Sequence, residues 1–157
     1  MNWRSTLFQS CVDKEMGRLV IDALDEFVDR ERYLLQVDAS ERSMAHRLAI
    51  YLERRLAGWD VDCEYNRDGH MPKEVHLESD DDMAHGSHVF PDIIVHHRGS
   101  GENLLVTEIK KSNSSVADQL DLRKLEAYGR ELGYRHRLFV RLQVGEESGV
   151  STAFFIT

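Results

Sequence analysis

Two cysteines, two prolines and the lack of any long apolar run set the first limits on this chain of 157 residues. Cys11 and Cys63 supply neither a disulfide framework nor a CxxC pair, so a reducing, cytoplasmic setting is expected. No stretch approaches the roughly 20 apolar residues that span a bilayer, so no membrane partner is expected. The opening MNWRSTLFQSCVDKE lacks the uninterrupted apolar centre of a signal peptide. There is no GxxxxGK(S/T) phosphate loop, no GxSxG elbow, no HExxH, and no helix-turn-helix or zinc-finger pattern. Positive charge is also scarce. Twenty Lys and Arg against 28 Asp and Glu give a net charge of −8, which weighs against tight non-specific binding to nucleic acid. It leaves room for an enzyme whose metal-binding carboxylates carry part of that charge.

Hydrophobic residues at 41% and charged residues at 31% suffice for a folded core, and one α/β domain is expected over residues 1–157. Val12, Met16, Leu19, Val20, Ala23, Leu24, Phe27 and Val28 recur at helical spacing, and Ser10 to Asp13 resembles a capping box. A helix is predicted over 11–35, so that residues 1–36 form an N-terminal helical extension. Asp38 to Glu41 forms a second capping box, opening a helix that ends near Gly58, with Met44, Leu48, Tyr51, Leu52 and Leu56 as its apolar stripe. Glu41 extends that stripe: it either caps the helix or points into a site.

Residues 59–67 alternate as a strand, with Cys63 read as a small hydrophobe and Glu64 as an outward residue or a further carboxylate. Residues 68–88 read as irregular, with an acidic run at Asp80 to Asp82 and a short strand around Glu74 to Leu77. Then come FPDIIVHH, a turn at RGSGEN, and LLVTEIKK, two tandem strands. Side chains alternate along a strand, so Glu108 and Lys110 share a face that Asp92 on the neighbouring strand can reach. Two carboxylates and a lysine converging there are costly as core and useful as a metal site. His96 shares the face of Asp92. A zinc site built from His85 and His88 with His96 or Cys63 has little support from ligand spacing. A further helix starts at Ser114 or Ser115 and stops at Gly133, with Lys124 and Tyr128 on one face. Strands over 137–144 and 150–156 complete the order α-α-β-β-β-α-β-β.

With PD on one strand and ExK on the next, 15 residues lying between Asp92 and Glu108, and helices on either side, residues 38–144 resemble the PD-(D/E)XK nuclease superfamily, in particular its small stand-alone bacterial members. That resemblance implies a restriction-endonuclease-like core, a central mixed β-sheet flanked by helices. It implies a catalytic set of Asp92, Glu108 and Lys110. Mg²⁺, for which Mn²⁺ substitutes, would be held by Asp92, Glu108, the Ile109 carbonyl and Glu41. Lys124, Tyr128 and Lys111 fall where substrate contacts are expected, with His96 and Glu64 as further candidates. Lys110 would act as base or as electrostatic stabiliser; both stay open. The substrate would be nucleic acid, DNA ahead of RNA, cut in defence, repair or mobile-element biology, by a monomer, a homodimer or part of a larger complex. The alternative is a non-catalytic binding or regulatory subunit with the same fold.

Overall fold

In a computed structural model, which describes residues 2–65, 74–75, 87–88 and 90–157, the chain is an α/β protein with a five-stranded mixed sheet flanked by helices. Four helices come first: α1 (Trp3–Ser10), α2 (Lys14–Arg30), α3 (Arg32–Gln36) and α4 (Glu41–Arg55). Then follow β1 (Asp60–Cys63), a minor pair of β2 (Glu74–Val75) and β3 (Ser87–His88), β4 (Ile93–His96) and β5 (Asn103–Lys111). The chain closes with α5 (Asp118–Leu132), β6 (His136–Gln143) and β7 (Gly149–Ile156). Strand order is β1-β4-β5-β6-β7. Only β5 and β6 run parallel, with α5 as the crossover that a parallel pair requires.

Alternation along β4 and β5 sorts the core into two layers. Ile93, Val95, Leu105 and Ile109 pack with Leu7, Val20, Leu24, Phe27, Met44 and Leu48 of the first four helices. Ile94 and Val106 face the other way, against Leu125, Tyr128 and Leu132 of α5. Glu108 and Lys110 are in phase with Val106, so both project on the α5 side. Residues of the expected N-terminal extension thus contribute to the same core as the sheet. Among the described residues no helix is long and apolar enough to cross a membrane.

Several boundaries differ from the sequence expectation, each because a side chain found another partner. The helix predicted over 11–35 is two, α2 and α3, and α1 precedes them. Ser10 does not open a capping box: its Oγ accepts the Phe155 N–H at 2.9 Å and donates to the Leu7 carbonyl. Asp13 itself caps α2, accepting from Glu15 and Met16. At the other end Glu31, which receives Arg47 Nε at 2.9 Å and the Tyr51 hydroxyl at 3.1 Å, separates α2 from α3. The helix from α4 stops at Arg55 rather than near Gly58. The first strand ends at Cys63, because Glu64 adopts a left-handed φ of 49° and gives its N–H to the Pro91 carbonyl at 2.9 Å. The expected turn at 68–69 and acidic run at 80–82 lie outside the described residues.

Gly133, at φ 70°, ends α5 as its sequence position suggests. Gly129 has a different reason to be glycine. A Cβ there would stand 2.7 Å from Arg137 Cδ and 2.6 Å from its Nη1, because the arginine lies across the helix. Gly129→Ala therefore obliges Arg137 to move, and because the atoms in the way belong to one flexible side chain the expected change in stability is within about 1 kcal/mol, better helix propensity offsetting the displaced arginine. Urea denaturation checks this; a loss of about 3 kcal/mol would mean that Arg137 is fixed in place.

Candidate active site

The expected site assembles at the end of β5, between the N-termini of α4 and α5. Glu41, Asp92, Glu108, Ile109, Lys110, Ser114, Val116, Leu120, Asp121 and Lys124 line a cleft of about 270 Å³ there. Larger grooves lie elsewhere, but they bring together no comparable set of acids and lysines. Asp92, just before β4, is placed by its own carboxylate: Oδ2 accepts the Ile109 N–H at 2.7 Å. Glu41, the first residue of α4, does the same for the next strand residue but one, accepting the Lys111 N–H at 2.8 Å. Glu41 does not cap α4, since Ser40 is the N-cap and accepts the Ser43 N–H. The glutamate stands in the first turn, where the helix dipole favours an acid, and it lines the cleft.

Glu108 is 3% exposed and takes the Tyr128 hydroxyl on Oε1 at 2.9 Å. Asp92 lines the same cleft. Burial, then the negative charge of Asp92, hold the Glu108 carboxyl well above the usual range. Asp92 is raised as well, chiefly by burial, with Glu41 and Asp121 adding to the effect and the Ile109 N–H opposing it. Burial, followed by Glu108, also raises the Tyr128 phenol above its ordinary value.

Lys110 Nζ lies 2.8 Å from Asp121 Oδ2 and donates to the carbonyls of Val116 at 3.0 Å and Ala117 at 3.2 Å. An ammonium has three donors, and all three are engaged. The same contacts explain why α5 begins at Asp118 and not after a serine cap. The carbonyls that lead into the helix are held by Lys110, while Ser114 Oγ accepts the Val116 N–H instead.

The other expected residues lie outside the cleft. Lys111 points away, to Asp38 Oδ1 at 2.8 Å and the Ala39 carbonyl. His96, 2% exposed, is bonded to Asp62 at 2.7 Å and stacks edge-on with Tyr65. Glu64 pairs with Arg42 at 3.2 Å. Cys63 is pushed up to about 11, by burial and then by Asp62, Asp92 and Glu64, as suits an inert thiol. His85 and the side chain of His88 lie outside the described residues. Asp121, 7% exposed, is the site residue that sequence reasoning missed. Its signal was there: it precedes Leu125 by four and Tyr128 by seven, which places an acid in the buried stripe of α5.

Among the described residues no three His, Cys, Asp or Glu stand in the geometry to hold a metal ion. The donor set nevertheless suits Mg²⁺, a hard cation usually bound by one or two carboxylates and several waters. Asp92 and Glu108 line the cleft together, with Glu41 beside them.

Glu108→Gln is the matching stability experiment. A carboxyl raised above its unfolded value costs nothing below about pH 4, where it is protonated in both states. Its cost grows as pH rises from there towards the folded value. In chelator at pH 7–8 the glutamine variant should be more stable by about 1–2 kcal/mol, about 2–8 °C in Tm, and this gain should vanish near pH 4. A variant less stable than the parent at neutral pH would contradict a raised Glu108 carboxyl.

No family model, no curated protein and no solved structure matches this chain.

Proposed function

We propose that this chain is a Mg²⁺-dependent nuclease with a restriction-endonuclease-like core, hydrolysing phosphodiester bonds in DNA, with Mn²⁺ able to substitute. One observation carries the proposal: half-buried Asp92 and buried Glu108 line one cleft together with Lys110. Like charges so placed are a burden to folding unless a cation joins them. The four carboxylates and two ammonium groups lining the cleft leave two negative charges, the deficit that one divalent cation fills.

Asp92 and Glu108 would hold the ion, with the Ile109 carbonyl and Glu41 beside them. When bound, it would supply Lewis-acid stabilisation of a phosphoryl oxygen and a more acidic water. In the overall reaction water oxygen bonds to phosphorus, the ester P–O bond breaks, and the leaving oxygen takes its electron pair and a proton. Lys110, surrounded by three acceptors, offers a fixed positive charge to the oxygens that gain charge, which supports stabiliser over base. Tyr128 orients Glu108 from below, and Lys124 faces the opening as the phosphate contact.

A second reading is a nuclease-fold binding or regulatory subunit without turnover. It is favoured by the internal engagement of every Lys110 donor. Incubation with supercoiled plasmid, linear duplex, single-stranded DNA and RNA, in Mg²⁺, Mn²⁺ or EDTA, separates the two. Metal-dependent cleavage supports the nuclease; none from the folded protein, at high enzyme and with both ions, supports the subunit.

A further inference from the structure

A buried acid within the apolar stripe of a helix has to be paired, and Asp121 is paired twice. Its Oδ2 lies 2.8 Å from Lys110 Nζ and its Oδ1 lies 3.9 Å from Lys124 Nζ. The two contacts differ in kind. The Lys110 side chain is 4% exposed and is also gripped by the Val116 and Ala117 carbonyls, so its ammonium is fixed from three sides. The Lys124 side chain is 32% exposed, and among the described residues it makes no other hydrogen bond or ion pair. One lysine is locked; the other keeps donors to spare at the mouth of the same cleft.

We propose that Asp121 is a positioning residue that divides the work between two lysines. It fixes Lys110 as a stationary charge at the reacting centre and holds Lys124 loosely, free to meet a phosphate group of the substrate. This division rests on the nuclease reading above. Neither lysine could exchange roles with the other, because only Lys110 lies within reach of the carbonyls that precede α5.

The test combines kinetics with a probe that needs no turnover. Asp121→Asn keeps the shape and removes the charge. It should lower kcat on DNA by about 10- to 100-fold with KM within about twofold, as expected when a reacting group loses its placement. Lys124→Ala should do the reverse, raising KM by about tenfold, one lost charge-assisted bond, with kcat little changed. Independently, lysine acylation by sulfo-N-hydroxysuccinimide acetate is followed residue by residue by mass spectrometry. In the unmodified chain Lys110 should react at least about tenfold more slowly than Lys124, and in Asp121→Asn this protection should be lost. Equal labelling of the two lysines in the unmodified chain would overturn the proposal, even if the variant fails to fold. So would an Asp121→Asn variant in which Lys110 stays protected, or one whose kcat is unchanged in an active nuclease. If the unmodified chain shows no cleavage, the nuclease reading falls, and the labelling alone decides whether Asp121 holds Lys110.

Discussion

Asp92→Asn is expected to abolish metal-dependent cleavage, by a factor of about 10³ or more, while the protein stays folded. The asparagine carbonyl can still accept the Ile109 N–H that the Asp92 carboxylate takes at 2.7 Å, so the approach to β4 keeps its anchor. What disappears is one of the two charges that would hold a cation. Folding should even improve slightly in chelator, because Glu108 loses the anionic neighbour that, after burial, does most to raise its carboxyl. Loss of function with unchanged or higher stability is the signature of a site kept for its chemistry. Near-normal cleavage by Asp92→Asn would remove this aspartate from the mechanism. Loss of the fold would show that its carboxylate is structural.

Lys110→Met should be far more damaging to stability. Its side chain and that of Asp121 are 4% and 10% exposed, so removing the lysine strands a carboxylate away from water. Breaking such a buried pair costs about 3–5 kcal/mol. It also frees the Val116 and Ala117 carbonyls that lead into α5. Combining Lys110→Met with Asp121→Asn should recover much of that loss, since neither residue is then left charged and alone. The double variant should remain inactive. Chemical denaturation of the four chains of this cycle gives the coupling directly. Additive effects would mean that the ion pair contributes nothing; recovery of cleavage in the double variant would mean that Lys110 has no part in the reaction.

Local periodicity made half of the site legible. The alternation of LLVTEIKK put Glu108 and Lys110 on one face, and both stand there, on the α5 side of β5. The apolar stripe of α4 led to Glu41; spacing put Lys124 and Tyr128 on one face of α5, and the family resemblance made them site candidates. All five reach the cleft or touch a group that does. The remainder depended on partners distant in sequence. Lys111 is drawn to Asp38, 73 residues away, and His96 to Asp62, 34 residues away. No pattern within a strand announces such a pairing. Asp121 was hidden for another reason: an acid in the first turns of a helix is usually a solvated partner of the dipole. Only the position of Lys110 makes it a buried one. The helix breaks at Asp13 and Glu31 follow the same logic, since capping and ion pairing there outweigh a continuous apolar stripe.

The central claim is that Asp92 and Glu108 form a cation site at the head of the cleft. Calorimetric titration with Mn²⁺, run on the unmodified chain and on Asp92→Asn, tests it most directly. The account expects one Mn²⁺ per chain, displaced by Mg²⁺, with binding lost in the variant. Absence of binding, or equal binding by both chains, would contradict it.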